Sequence, residues 1–469
     1  MAETSYEFAM EPVEVAPVET AYRRIVTPQP PPGTVELLQR LRRHEPASMT
    51  LELPVAWERA SGFQVEDPFG NRWLDFTSGI FVANTGHGHP RVRAAIAALT
   101  ERPLLHSYSF PTEVRAQLVE RLIAMTPAQL DTVLLLTTGA EANEALIKMA
   151  RTHGMRSART KLGIVSLALG FHGKTMGAQT ASGRLEQKRW IGPLDPNFHQ
   201  LPVPYAPFCP WGHDPEQPCG AACFELGIDA LEEAGVDLAT IAAFLVEPYQ
   251  GWAGALVPTD YIRAMRAWAD DHGALLCFDE VQSGIGRTGR LLAHEHFGVQ
   301  ADMVSCGKGI SSSLPLSAVL GRRELLDVDG SLNSTHGGNP LCCAAALATL
   351  EVIEKEKLIE AAATIGERLG ARLRDAASRL GDPVARVEGR GMVWALHLVE
   401  PETGELDAML GDIAIERAMR KGLLLVRTGT GTIKVGPPLT IPEDAAFEGA
   451  DVIEEAVAEA VAERAVAVR

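Results

Sequence analysis

The chain has 469 residues, 46% hydrophobic and 22% charged, ordinary globular usage that excludes wholesale disorder and a collagen-like fibre. Its 43 Lys and Arg against 60 Asp and Glu leave a net charge of −17, which repels nucleic-acid phosphate and anionic membranes, so neither is expected as a partner. No apolar run approaches the roughly 20 residues of a spanning helix, and the N-terminus is acidic where a leader peptide is basic. The seven cysteines are an odd, scattered set, which points to a reduced cytoplasmic protein.

Residues 1–35 are rich in Glu and Pro and offer little to fill a core; they read as an arm, mobile or draped on the surface. Residues 36–89 read as the first part of a small domain. A helical pattern begins near Leu37, and strands are expected at Phe63–Val65 and Trp73–Phe76, joined by a Gly70-Asn71 turn. Over 90–350 the pattern changes. The apolar runs Val133–Leu136, Ile164–Leu167, Ala243–Val246, Leu275–Phe278 and Met303–Cys306 alternate with helix-period segments, which predicts a large α/β domain with a mostly parallel sheet covered on both faces. Residues 351–469 read as the second part of a smaller α+β domain. Its expected helix spans Leu358–Leu380, its strands lie at Val393–Leu398, Leu423–Val426 and Thr432–Val435, and an amphipathic helix runs through Ile453–Val466.

Ligands of open α/β sheets bind beyond the carboxyl ends of the strands, and polar residues gather there in this chain. Gly139 and Ala140 open a helix after Leu136, where free N–H groups and the positive helix end suit a phosphate; an ordinary helix start is the plain alternative. Gly170-Phe171-His172-Gly173 places an aromatic at a loop tip, where its ring could stack on a flat ligand or simply pack. Glu247 and the pair Asp279-Glu280 stand at the ends of buried strands. Such carboxylates are costly without partners, so they are candidate functional acids or structural ion pairs. Lys308 lies between Gly307 and Gly309 at the mouth of another strand, where desolvation would lower its pKa and supply a neutral amine. A phosphate cradle, a stacking ring, a buried acid and a buried amine together meet the demands of pyridoxal 5'-phosphate.

These stretches resemble the class III aminotransferases, the 4-aminobutyrate and omega-aminotransferase-like enzymes that use pyridoxal phosphate. The matching residues are Asp75–Ile80 with Gly86–Pro90, Gly139–Glu144, Phe171-His172-Gly173, Glu247-Pro248, Phe278–Gly289, Gly307-Lys308-Gly309 and Ser334–Pro340, in family order. The resemblance implies the fold type I of pyridoxal-phosphate transferases. It implies that Lys308 condenses with the cofactor aldehyde and later shuttles the proton, while Asp279 holds the pyridine nitrogen protonated. Val281 and Phe171 would sandwich the ring, with His172 among the cofactor contacts and Gln282 near the ring hydroxyl. Gly139 and Ala140 would bind phosphate. Thr335 would reach the phosphate of a neighbouring subunit, which implies a homodimer with shared sites, or a tetramer built from it. Glu247 would lie on the substrate side. Lys434 stands where many members carry an arginine that clamps a substrate carboxylate. A Lys434–Glu247 pair would orient a carboxylate less strictly, unless Arg427 or another arginine took over. The expected reaction moves an amino group from a primary amine, an omega- or beta-amino acid or an amino acid to a 2-oxo acid. An amino-acid racemase or epimerase on the same scaffold is the runner-up, and a catalytically silent binding protein the third reading.

Other motifs carry less. Gly284–Gly289 spells a dinucleotide fingerprint, but Asp279–Ser283 separate it from its strand. Ser305-Cys306-Gly307-Lys308 fits SxxK, yet Ser305 ends a strand and no partner motif is present. His87 and His89 read as shaping the turn before Pro90. Cys209, His213, Cys219 and Cys223, spaced C-x3-H-x5-C-x3-C, could hold Zn²⁺ but match no common finger; they read as a cysteine-containing surface loop, and no metal is expected. Trp57, Phe81 and Trp252 could line an apolar side of the pocket or serve as packing.

Overall fold

Each of the five apolar runs of the middle of the chain becomes a strand of one sheet. The structure is a computed structural model that describes residues 6–49, 52–205, 209–211, 219–328 and 330–467. The chain divides into two units, one made of the residues up to His89 together with those from Ala361 onward, the other of Pro90–Glu360. The sequence expectation placed that second boundary at 350.

In the first unit, β1 (Val18–Glu19), β2 (Arg24–Ile25), β3 (Arg59–Ser61), β4 (Gln64–Glu66) and β5 (Arg72–Asp75) form a sheet in the order β1-β2-β5-β4-β3. This corrects the expectation that the N-terminal arm has little to bury. Ile25 is fully buried with Val65 and Trp73, and Phe8 is buried as well. One strongly apolar residue in a polar stretch suffices when a neighbouring strand is there to pair with it.

The second unit holds β6 (Thr132–Leu136), β7 (Gly163–Leu167), β8 (Phe198–Leu201), β9 (Ile241–Val246), β10 (Leu275–Glu280), β11 (Met303–Cys306) and β12 (Ser317–Gly321). Their order is β6-β12-β11-β10-β9-β7-β8. Pairings from β11 through β8 are parallel, and β12 runs antiparallel to both β11 and β6. Strands β7 and β9 to β12 are buried along their whole length, as expected of strands covered on both faces. The helix Gly139–Ser157 packs across β9 to β12, and its Leu146, Ile147 and Met149 join Leu245, Cys277, Met303 and Val319 in the core. The carboxyl ends of β9, β10 and β11 therefore open side by side.

The chain returns to the first unit through β13 (Val384–Arg390), β14 (Val393–Leu398), β15 (Leu423–Leu424) and β16 (Thr432–Val435). β14 lies between β13 and β16, and β15 pairs in parallel with β5. The helices Leu358–Leu380 and Glu443–Ala467 complete the α+β pattern. No helix among the described residues is long and apolar enough to cross a membrane.

Candidate functional site

Asp279 and Glu280 end β10 on opposite faces, and their partners give them different tasks. Asp279 is buried. Its Oδ2 accepts from Asn143 Nδ2 at 2.7 Å and lies 2.8 Å from His172 Nδ1; its Oδ1 accepts from the Val281 N–H at 3.0 Å. Asn143 also donates to the His172 carbonyl at 2.7 Å and accepts from Ser305 Oγ at 2.7 Å, so its amide is held on three sides. Burial works to lower the pKa of His172, but the hydrogen bond and charge of Asp279 and the charge of Glu247 outweigh it and raise the imidazole above its usual value. Glu280, by contrast, accepts from the His294 N–H at 2.8 Å and lies 2.7 Å from His294 Nδ1. Its carboxylate is thus taken up by the Ala293 and His294 backbone and the His294 ring.

Phosphate chemistry is available where β6 meets the helix Gly139–Ser157. Thr138 and Glu141 form a reciprocal capping box, and the Glu141 carboxylate also accepts from the Thr137 N–H at 2.9 Å. The first turn leaves the N–H groups of Gly139 and Ala140 without intrahelical acceptors. Val281 explains two of the glycines nearby. A Cβ on Gly139 would come within 2.6 Å of Val281 Cγ1, and one on Gly307 within 3.1 Å. Val281 thus sits against the Gly139 turn and the residue preceding Lys308. The Phe171–Gly173 loop closes on the same turn, since a Cβ on Gly173 would meet Ala140 Cβ at 2.7 Å.

Lys308 has φ +43°, left-handed backbone that costs a non-glycine residue roughly 1–3 kcal/mol and is typically retained at functional sites. Desolvation lowers the pKa of its amine, against the charges of Asp279 and Glu247. Glu247, at the end of β9, accepts from the N–H groups of Phe171 and Gly251, each at 2.8 Å. Burial pushes it up to about 7. A Cβ on Gly251 would meet Gln282 Oε1 at 3.0 Å and Glu247 Oε1 at 3.1 Å, which places Gln282 beside Glu247. Phe171 and Trp252 form a tilted ring pair 6.0 Å apart, and Arg184 lies 4.1 Å over Trp252.

The first unit carries a polar group of its own after β5. Buried Asp75 accepts from the Thr77 N–H at 2.8 Å and lies 2.6 Å from His87 Nε2. Ser78, Gly79, Ile80 and Phe81 follow, all with positive φ, an expensive left-handed turn. Phe81 is buried as packing. A Cβ on Gly436 would run into its ring, and Lys434 Nζ lies 4.3 Å from the ring centroid. Lys434 itself is buried in β16. Arg427 does not stand open for a carboxylate: it grips Asp412 with two bonds of 2.9 and 2.7 Å. Trp57 is half-exposed and meets His87 edge-on.

The structure thus brings Gly139, Ala140, Phe171, His172, Glu247, Asp279, Val281, Gln282 and Lys308 together in the second unit. Thr335 is exposed, next to Ser334, whose Oγ donates to Glu141 at 3.2 Å. Cys209, Cys219 and Cys223 also converge, whereas His213 lies outside the described residues. Asn143 and Ser305 were not singled out as site residues by sequence reasoning. One polar residue in the apolar run of β11 was the available signal for Ser305, which pairs in register with Asp279.

A buried acid, a desolvated lysine at a strand end and an open helix N-terminus, all at the carboxyl edge of a mostly parallel sheet, define a pyridoxal-phosphate-dependent transferase of fold type I. The chain matches the family model "Aminotransferase class-III" over residues 47–457 and belongs to that family. It is 38% identical over 418 residues to an ornithine aminotransferase of Emericella nidulans, covering 87% of each chain. It is 31% identical over 461 residues to an alanine/serine racemase of Pyrococcus horikoshii, covering 96% of each. Among solved structures, an amine transaminase from an uncultivated Pseudomonas species in its PLP-bound form superposes with a TM-score of 0.79 at 33% identity, covering 86% of this chain and 95% of that one. The protein is an aminotransferase and its cofactor is pyridoxal phosphate. The donor set fits that group: an acceptor carboxylate, an amine of lowered pKa, and backbone N–H groups with a glycine turn beside them.

Proposed function

We propose that the cofactor is held by Gly139 and Ala140 at its phosphate, by Phe171 and Val281 at the two ring faces, by Gln282 near the ring hydroxyl and by Asp279 at the pyridine nitrogen, with His172 behind Asp279. Pyridoxal phosphate, when bound, supplies the aldehyde that takes the amine and the sink for the electrons of the Cα–H bond. Lys308 supplies the amine that holds the cofactor and takes and returns the substrate proton; its lowered pKa leaves it able to act as a base. Asn143, Ser305 and His172 act as positioning residues that aim the Asp279 carboxylate. The observation that carries this reading is Lys308 in a strained turn at the end of β11, flanked by Val281 and within the charge field of Asp279 and Glu247. The test is a visible absorbance band on adding pyridoxal phosphate, present in the wild type and absent in Lys308→Ala.

The substrate side involves Glu247 and Lys434. A lysine in place of the expected arginine offers a point charge instead of a bidentate fork, and Arg427 is committed to Asp412. The preferred donors are therefore apolar amines and omega- or beta-amino acids, with pyruvate as acceptor ahead of 2-oxoglutarate. A second reading, amino-acid racemisation on the same residues, is favoured by the similarity to the alanine/serine racemase. Incubation with one amino acid and no 2-oxo acid separates the two: the new keto acid forms in one case, the enantiomer in the other.

The active unit is a homodimer in this reading, with Thr335 completing the partner's phosphate site. Support comes from a surface on which residues 105–110 meet residues 333–339. Asn333 Nδ2 donates to Tyr108 Oη and Asn339 Nδ2 to the Leu105 carbonyl, each at 2.8 Å. Leu105 and Phe110 are 56% and 73% exposed there, a cost that a second copy would remove. Reduced cysteines, with no disulfide among the described residues, support a cytoplasmic place of action.

A further inference from the structure

Three cysteines that the amine-transfer chemistry does not use meet behind β8. Cys209 follows that strand; Cys219 stands just before the N-cap of the helix Ala221–Glu233, and Cys223 lies in its first turn. Their sulfur atoms all lie within 4.8 Å of one another. Cys219 is hydrogen-bonded to both Cys209 and Cys223. A tetrahedral zinc ion with Zn–S bonds of about 2.3 Å holds its sulfurs about 3.8 Å apart, so only small side-chain shifts separate this cluster from a coordination shell. One disulfide would use two of the sulfurs and strand the third, whereas a metal engages all three.

A second observation points the same way. Tyr261, on the helix Thr259–His272 that packs against Ala221–Glu233, is almost fully buried, and its hydroxyl has no hydrogen-bond partner among the described residues. Its ring packs edge-on against Phe224, the residue after Cys223, with the centroids 5.5 Å apart, which sets the phenol beside the cysteine segment. A buried phenol without an acceptor is costly, and a metal-bound thiolate close by would provide one.

We propose that Cys209, Cys219 and Cys223 bind one zinc ion as thiolates, in a structural site that shares no residue with the amine-transfer site, with Tyr261 as an outer hydrogen-bond donor. Binding forms three Zn–S bonds and releases the three thiol protons to solvent; no oxidant or reductant takes part. The ion ties the segment after β8 to the start of the next helix across the nine residues between Cys209 and Cys219, so its binding free energy adds to the stability of the folded chain. Three side chains take part in the assignment, and the fourth ligand is left to the metal's remaining position.

The experiment uses the full chain with its cofactor, produced without a histidine tag in zinc-supplemented medium and desalted. Elemental analysis is expected to find one zinc per chain. Exchange for Co²⁺ is expected to give a thiolate-to-cobalt charge-transfer band in the near ultraviolet. Cys209→Ser, a change at a half-buried position, should lose that band and most of the zinc, lower the Tm by several degrees and leave turnover at lower temperature unchanged. Tyr261→Phe should weaken zinc about tenfold. Cys342→Ser, elsewhere in the fold, should retain the metal. A wild-type chain that keeps neither zinc nor cobalt, zinc that survives Cys209→Ser, Cys219→Ser and Cys223→Ser alike, or a disulfide between any two of these cysteines would overturn the assignment.

Discussion

His172 Nδ1 lies 2.8 Å from Asp279 Oδ2, with both side chains buried. On the far side of the imidazole, a Cβ added to Gly170 would come within 3.4 Å of both His172 Nε2 and Glu247 Oε2. The imidazole therefore stands between Asp279 and Glu247, the acids proposed above for the pyridine nitrogen and the substrate side. Asp279→Asn keeps the side-chain shape and removes the charge, and one of the two accepting oxygens becomes an NH2 that cannot accept. Its kcat should fall on the order of a hundredfold, about 2.7 kcal/mol, with little change in cofactor affinity, because the charge matters most where electrons accumulate in the transition state. His172→Phe should cost less, about tenfold, since Asn143 and the Val281 N–H still hold the carboxylate. Steady-state kinetics with cofactor titration checks both; an Asp279→Asn enzyme within about threefold of wild type would remove Asp279 from this role.

Lys308→Ala should fold, retain the phosphate end of the site and lose multiple turnover on the order of ten-thousandfold, the upper range of general acid–base contributions. Truncating a left-handed lysine to alanine leaves the positive φ unrelieved, so any change in Tm should be small. Wild-type-like turnover in the variant would contradict the assignment of Lys308.

Glu247 gives the chain a pH dependence with a definite sign. Burial raises its carboxyl from the ordinary value of 4.5 to about 7, so between those pH values the folded chain holds a proton that the unfolded chain has lost. The stability attached to that proton is fully present below pH 4.5 and is lost as pH rises through about 7. Its size is roughly 3 kcal/mol by the pKa difference. Glu247→Gln removes the titration. The difference in Tm between variant and wild type should therefore shift by a few degrees in the variant's favour from pH 4.5 to 8. A pH-independent difference would show that Glu247 titrates normally.

The large sheet was legible in the sequence because strands covered on both faces are apolar over most of their length, as β7, β9, β10 up to Phe278 and β11 are, with Ser166 and Ser305 the polar interruptions. Strand β8, Phe-His-Gln-Leu at the sheet edge, is half polar, and β12 is built on small residues; neither stands out as an apolar run. Lys308, Asp279 and Glu247 were legible because a charged group directly after a buried strand is costly without a purpose. Asn143 and Ser305 were not, because their task is set by tertiary contact: one sits on a helix, the other on the neighbouring strand, and they meet only around Asp279. The convergence of Cys209, Cys219 and Cys223 was one of two readings that their spacing allowed, and the spacing alone did not choose between it and a surface loop.

The surface shared by residues 105–110 and 333–339 makes the oligomeric state testable. Leu105→Glu with Phe110→Glu places two charges where the second copy is expected. The double variant should sediment as a monomer and lose cofactor affinity, because Thr335 would no longer reach its partner's phosphate. A wild-type chain that stays fully active as a monomer on dilution would exclude the shared site.

Lys434 sets the last expectation, the choice of acceptor. It is buried in β16 with its amine 4.3 Å from the Phe81 ring centroid, a cation–π contact, and an ammonium is a point charge without arginine's planar fork. Arg427 is already held by Asp412 and by the Tyr6 carbonyl. A second carboxylate on the acceptor therefore gains little, and the wild type should favour pyruvate over 2-oxoglutarate in kcat/KM. Lys434→Arg restores a planar fork at that position. It should raise kcat/KM for 2-oxoglutarate by about tenfold, the 1.4 kcal/mol expected of one charge-assisted bond, while pyruvate changes little. Steady-state kinetics with both keto acids on both enzymes decides the matter: a wild type that already prefers 2-oxoglutarate, unchanged by the arginine, would show that Lys434 does not set the choice.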